Sequence, residues 1–316
     1  MAACPDIAPA TAPALRYSPS GFEILQDPGY ASPGTTTRAH CTEVIVHPRF
    51  PRGAIHFLHP SRMLRAERTV SVPGLPFALL VDQRQVGRER ADPSDDDDTG
   101  HAVWRGATVL ARHVLLAENH VGQAFRPQGG RRRCVELGCG SAAVASTVAA
   151  YVGFDAYATD GVASCVEDAK RAVVANLSHR VSITKNGPRA AAPRGRVVAV
   201  ERLAWSQRDA ERFVARRGRV DLVLGSEVVY ALRQEKMAQV HARFADLAAT
   251  IATLLEPTGV AVLAWCRRSE AERLFFELLP AFGLRAQTRT LTHLGLSREQ
   301  TEGIVLVEVT PTRTGA

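Results

Sequence analysis

The segment Arg133–Asp160, RCVELGCGSAAVASTVAAYVGFDAYATD, constrains this chain more than any other stretch. Cys134–Leu137 is a short, largely apolar run, and Gly138-Cys139-Gly140 is a glycine turn. Ala142–Tyr151 has the small-residue pattern of a helix, and Phe154–Thr159 is a second strand-like run that ends on Asp160. Strand, glycine turn, helix, strand and terminal acid predict a βαβ unit of the kind that cradles an adenosine-containing ligand.

The pattern continues downstream. His101–His120 is apolar at helical spacing, Val162–Leu177 reads as a helix and Arg196–Leu203 as a strand. Val220–Leu224 is a fully apolar strand, and Glu235–Leu255 is a helix stopped by Pro257 and Gly259. Val260–Trp265 is a strand, Ser269–Phe282 a helix capped by Gly283, and Leu284–Thr290 and Ile304–Val309 are the last two strands. Such alternation predicts a doubly wound, Rossmann-like α/β sheet of seven strands. The final two strands have no helix between them and are expected to pair antiparallel at one edge.

Upstream the character changes. Residues 1–20 are rich in Ala and Pro and are expected to lack structure. Residues 21–90 carry short β-like runs (Cys41–His47, Ala54–Leu58, Thr69–Val72, Phe77–Val81) and are expected to form a small β-rich N-terminal element. His40, His47, His56 and His59 match no metal-ligand spacing. Ala91–Gly100, ADPSDDDDTG, reads as a solvated acidic loop and marks the boundary to the core domain, residues 101–316.

Several function classes are disfavoured. No run approaches the roughly 20 apolar residues that span a bilayer. The first residues show neither a basic n-region nor an apolar h-region, so no secretory signal is expected. Six scattered cysteines without a CxxC pair argue against a zinc site and a disulfide framework, and point to a reducing, cytoplasmic (or nuclear) setting. The net charge of +7 and pI near 9.4 would suit a polyanionic partner. Lysine, however, is confined to Lys170, Lys185 and Lys236, and arginine is abundant along the whole chain, so the charge reads as a compositional bias.

In the βαβ unit, Gly138 and Gly140 let backbone approach a ligand closely, and Asp160, twenty residues on, is placed to accept both hydroxyls of a ribose. Gly138-x-Gly140-x-x-Ala143 also satisfies a dinucleotide fingerprint, so NAD is a rival to any other adenosine cofactor. Glu136 separates them: a carboxylate there opposes a pyrophosphate but can accept from the amino group of a methionine-like moiety. The βαβ pattern also runs once through the domain instead of as two halves. Finally, DLVLGSEVVY places Ser226, Glu227 and Tyr230 at the carboxyl end of a central strand, where open α/β sheets bind ligands.

The order VELGCG, ATD, LAW, LGSEVVY resembles the class I (seven-β-strand) S-adenosylmethionine-dependent methyltransferases, and within them the protein-lysine methyltransferase branch (family 16-like). HAVWRGATVLARHVL resembles the leading helix of that branch, and the resemblance spans His101 to about Val309. It implies an antiparallel last strand, S-adenosyl-L-methionine as cofactor, and methylation of a lysine on a protein substrate by a monomer. By the same resemblance Glu136, Gly138, Cys139 and Gly140 line the methionine end, Asp160 holds the ribose, and Trp205 packs near the adenine. Trp104 and Ser226 sit beside the cofactor, and Glu227 and Tyr230 are the catalytic candidates at the substrate channel. No metal is implied. Two residues depart from the pattern: Ala142 replaces a third glycine, and Glu227 an aspartate. A nucleic-acid substrate is the alternative, although the N-P-P-Y-like motif of base-amino methylation and a Pro-Cys nucleophile are both absent. A non-catalytic binding module is the other.

Overall fold

The strand-like runs carry apolar side chains on both faces, so helices must cover each from above and below. A computed structural model shows this arrangement; it describes residues 15–18, 21–24, 66–75, 78–83, 98–120, 132–178, 194–231 and 235–312. Two antiparallel hairpins come first in the chain, β1 (Leu15–Ser18) with β2 (Gly21–Ile24) and β3 (Ala66–Ser71) with β4 (Ala78–Gln83). Then follow β5 (Arg133–Leu137), β6 (Asp155–Asp160), β7 (Arg196–Arg202), β8 (Val220–Ser226), β9 (Leu255–Cys266), β10 (Leu284–Arg289) and β11 (Ile304–Pro311). These seven form one sheet in the order β10-β11-β9-β8-β5-β6-β7. β11 runs antiparallel to both of its neighbours, while the pairs among β5 to β9 are parallel.

Side chains alternate between the two faces. Cys134, Ala156, Leu222, Leu224 and Val262 pack under α1 (Arg105–His120) and α2 (Val144–Val152). Ala158 on the same face packs under α3 (Ala163–Ser178). Val135, Leu137, Val223, Ala261 and Leu263 face α4 (Gln207–Arg217), α5 (Met237–Leu254) and α6 (Arg273–Leu278). The chain travels outward from β5 through β6 to β7 and then returns to place β8 on the other side of β5. That reversal opens a crevice at the carboxyl ends of β5 and β8, the position at which open α/β sheets bind ligands.

Several expectations shift. Residues 207–217, given no element from the sequence, form α4. Its signals were present: the Ser206 hydroxyl accepts from the Asp209 N–H at 3.1 Å, Ala210 and Phe213 are buried on one face, and Gly218 ends the helix. α5 stops at Leu254 instead of running to Leu255, and β9 starts before Pro257. Pro257 and Gly259 lie within a register shift between β8 and β9, where an irregular strand tolerates them. The helix expected over Ser269–Phe282 is broken into a turn at Glu270–Glu272, α6 and a 3-10 turn ending at Gly283. A one-turn helix, α7 (Arg298–Thr301), interrupts the connection between β10 and β11. Leu15–Ser18 is a strand where no structure was expected. The runs Cys41–His47 and Ala54–Leu58, the histidines His40, His47, His56 and His59, and residues 91–97 of the acidic loop lie outside the described residues.

The β3–β4 hairpin buries Val70, Val72, Leu75, Leu79 and Val81 in the core, and one amide of α3 bonds its outer strand. Asn176 accepts from the Leu80 N–H at 2.7 Å and donates to the Leu80 carbonyl at 2.7 Å. Arg112 of α1 reaches both ways, donating to the Pro73 carbonyl (2.5 Å) and the Leu294 carbonyl (2.9 Å). The neighbouring residue, His113, is buried with its Nδ1 3.2 Å from Nε2 of His293.

Burial, and then the nearby His293, pull His113 down to a pKa of about 4, with Glu308 opposing and Arg289 adding to the effect. A histidine held neutral in the folded state stabilises the protein above its unfolded pKa of 6.5; that contribution is lost as the pH falls towards 4. In urea unfolding, the stability of the native chain relative to His113→Gln is therefore expected to drop by about 2–3 kcal/mol between neutral pH and pH 4. A pH-independent difference would contradict this.

Candidate active site

The end of β5 leads directly into the glycine turn. Gly138 and Gly140 both have positive φ, 63° and 57°. A Cβ on Gly140 would lie 2.5 Å from the Gly100 carbonyl oxygen, because the turn at Asp98–His101 is packed flat against this loop. That contact is tied by the Ser141 N–H donating to the Gly100 carbonyl at 2.8 Å. Ala142 has no left-handed backbone, so the alanine in place of a third glycine carries no conformational penalty. The left-handed residue is its neighbour Ala143, at φ 46° and ψ 47°.

Ala143 offers no side-chain cap to α2. Glu136 supplies it instead: its carboxylate accepts from the Ser146 N–H at 2.7 Å and the Ala145 N–H at 3.4 Å. A dinucleotide pyrophosphate needs those same helix N–H groups, and here a carboxylate already holds them. Burial pushes Glu136 up to a pKa of about 7, against the lowering effect of its bonds to Ser146 and Ala145. The Cys139 thiol is likewise buried and pushed well above its usual range, so it forms a neutral wall.

At the tip of β6, Asp160 fastens the turn to the sheet. Its Oδ2 accepts from the Gly140 N–H at 2.9 Å and its Oδ1 from the Val162 N–H at 2.8 Å. At the tip of β8, Glu227 is left-handed (φ 58°) and its own N–H donates to the Ala264 carbonyl at 2.8 Å. Its carboxylate accepts from the Gly106 N–H (3.2 Å), the Cys266 N–H (3.1 Å) and the Arg268 guanidinium (2.5 Å). Gly106 allows this approach, since a Cβ there would sit 2.6 Å from the Glu227 Oε1. Arg268 in turn lies over the Trp104 ring, 5.1 Å from its centroid.

Beyond β8, the Arg243 guanidinium holds Tyr230. It donates to the Tyr230 carbonyl at 2.5 Å, lies 4.5 Å from the ring centroid, and binds both carboxylate oxygens of Glu235 at 2.5 and 2.7 Å.

These groups enclose a cavity of about 430 Å³, inside the range of roughly 300–1,000 Å³ typical of small-molecule sites. All ten residues singled out from the sequence line it: Trp104, Glu136, Gly138, Cys139, Gly140, Asp160, Trp205, Ser226, Glu227 and Tyr230. The buried hydroxyl oxygen of Ser226 has no hydrogen-bond partner among the described residues, as expected of a wall that awaits a ligand's polar atom. The glycine turn, two carboxylates and flanking tryptophans suit an adenosine cofactor with a cationic tail. Sequence reading missed Arg243 and Asp246, which also line the cavity, and Arg268, which acts through Glu227 and Trp104. Among the described residues there is no cluster that could hold a metal ion, and no helix is long and apolar enough to cross a membrane. Cys134, Cys139, Cys165 and Cys266 are buried free thiols.

A family model described as lysine methyltransferase matches residues 90–282. No curated protein sequence is similar. Among solved structures, the chain resembles a SAM-dependent methyltransferase from Agrobacterium tumefaciens, with 14% identity and TM-score 0.46 over 80% of this chain and 72% of that one. It also resembles a 16S rRNA N2 G1207 methyltransferase from T. thermophilus in complex with AdoMet and guanosine, with 14% identity and TM-score 0.41 over 81% of this chain and 52% of that one. A ribosomal protein L11 methylase from Lactobacillus delbrueckii subsp. bulgaricus has 11% identity and TM-score 0.37 over 66% of this chain and 80% of that one.

The raised pKa of Glu136 has a measurable sign. Its folded value lies above the unfolded value of 4.5, so its stabilisation is complete below about pH 4.5 and is lost as the pH rises through about 7. Urea unfolding is expected to show the native chain losing on the order of 3 kcal/mol relative to Glu136→Gln between about pH 4.5 and pH 8. A flat difference would mean that the carboxyl is already ionised at the lower end.

Proposed function

This chain belongs to the lysine methyltransferase family, and we propose that it methylates a lysine side chain of a protein. Its cofactor is S-adenosylmethionine, which supplies an electrophilic methyl group on a sulfonium. One observation carries the reading: the glycine turn after β5, the acid at the tip of β6 and the Ser226–Tyr230 segment after β8 all line one cavity.

Each residue then has a task. The turn from Gly138 to Gly140 admits the methionine end of the cofactor. Glu136 holds negative charge beside it, and a bound cation favours the ionised form of a carboxyl whose own burial disfavours it. Asp160 accepts the ribose hydroxyls while its backbone bonds keep it aimed. Trp205, whose ring edge lies 3.6 Å from the position of a Cβ on Gly138, packs near the adenine. Ser226 offers its unpartnered hydroxyl to the cofactor. Trp104 and Tyr230 flank the channel by which the acceptor enters.

A lysine ammonium, with an unperturbed pKa of about 10.4, must lose its proton before its nitrogen lone pair can attack. Aromatic walls favour that loss by desolvation. Nitrogen–carbon bond formation and carbon–sulfur bond cleavage then occur in line, and the protein contributes chiefly alignment. Glu227 serves this as a positioning residue. Its charge is matched by Arg268, and the pair fixes Trp104 at the entrance.

Calorimetry is expected to show saturable S-adenosylmethionine binding, weakened about tenfold, or about 1.4 kcal/mol, by Asp160→Ala. With tritium-labelled cofactor and whole-cell extract, label should appear on protein lysine. Label recovered in RNA would overturn the substrate assignment, and absence of cofactor binding by the intact chain would overturn the catalytic one.

A further inference from the structure

Five charged side chains line the cavity: Glu136, Asp160, Glu227, Arg243 and Asp246. Four are committed within the protein. Glu136 caps α2, Asp160 holds the glycine turn, Glu227 is matched by Arg268, and Arg243 is matched by Glu235. The carboxylate of Asp246 has no hydrogen bond or ion pair among the described residues; only its backbone carbonyl is engaged, accepting from the Thr250 hydroxyl at 2.7 Å.

Position adds to this. Asp246 lies one turn after Arg243 on α5, so both emerge on the same side of the helix. Arg243 grips the Tyr230 carbonyl and ring, which places Asp246 at the rim on the Tyr230 side. Asp246 is solvent-exposed, whereas the side chain of Glu227 is only 6% exposed. Glu136 and Asp160 are buried as well, so Asp246 is the solvent-exposed carboxylate of the cavity and the one whose charge is met by neither a backbone N–H nor an arginine among the described residues. The Ser226 hydroxyl, which lines the same cavity and has no hydrogen-bond partner among the described residues, is a second polar group available to a ligand there.

We infer that Asp246 is the carboxylate that receives the acceptor's ammonium at the mouth of the channel and sets the preference for a cationic acceptor. This rests on the lysine reading above. The residue is a selectivity and docking group: it draws the amine to the rim, where solvent can still take its proton, before the aromatic walls enclose it.

Three probes test it: S-adenosylhomocysteine, and two analogues in which nitrogen replaces the sulfur and carries either an aminopropyl or a plain propyl chain. The chain extends along the path of methyl transfer, so the amine reaches the acceptor's place. The native protein is expected to prefer the aminopropyl analogue by about three- to fivefold, the upper end of the scale of one exposed charge pair. Asp246→Asn should bring the two analogues to within about twofold, while Asp246→Glu keeps the preference and both variants bind S-adenosylhomocysteine like the native chain. A preference that survives Asp246→Asn overturns the assignment to Asp246 and leaves the lysine reading standing. No preference in the native protein overturns the inference about Asp246, while the lysine reading is decided separately by where the tritium label appears.

Discussion

The Glu227 carboxylate is the interaction on which the ligand-facing end of the sheet depends. Three elements converge at the end of β8: the start of α1, the end of β9 and the loop carrying Arg268. The first two each bring a backbone N–H and the third a guanidinium, and one side chain accepts from all of them. The arrangement requires Glu227 to take a left-handed backbone, a cost on the order of 1 kcal/mol for a residue with a Cβ. Charge-assisted bonds, at about 1.5–3 kcal/mol each, outweigh it. They also give the length of the glutamate side chain a use. The additional methylene lets one carboxylate span from Gly106 on α1 to Cys266 on β9.

Carboxylates organise the rest of the cavity by the same logic. Glu136 and Asp160 are each satisfied by backbone N–H groups, so the loop is held open by the acids it presents to the cofactor. An acidic lining of this kind suits a ligand whose charge is positive and penalises one that is negative. Burial pushes the Glu136 carboxyl up to a pKa of about 7. Structure and electrostatics here have a single origin: the carboxyl that caps α2 is also one that lines the cavity.

Much of this was legible in the sequence because it is local. The glycine turn, the acid at the tip of β6 and the polar run after β8 each follow a strand, and a parallel sheet places strand ends together. Hence all ten residues chosen from the sequence line one cavity. What was not legible depends on contacts between distant segments. Arg268 lies 41 positions from Glu227, and nothing in the sequence pairs them. Arg243 and Asp246 look like the ordinary polar face of a helix until α5 is seated beside Tyr230. α4 was missed for a different reason: its surface is so rich in arginine that Ala210, Phe213 and the half-buried Val214 carry nearly all of its apolar signal. At Pro257 the reading followed a helix terminator where the chain had already become a strand with an irregularity.

The seat of the β3–β4 hairpin has a consequence of another kind. A primary amide presents one donor and one acceptor side by side, as a peptide group does, so Asn176 completes β4 the way a neighbouring strand would. One residue thereby gives β4 a strand-like pair of bonds at Leu80 on its outer edge. The smallest chemical change at that point, amide to carboxylate, preserves shape but turns a donor into an acceptor facing the Leu80 carbonyl. The polar part of the hairpin's seat on α3 therefore depends on which atoms this one side chain carries and not on its shape.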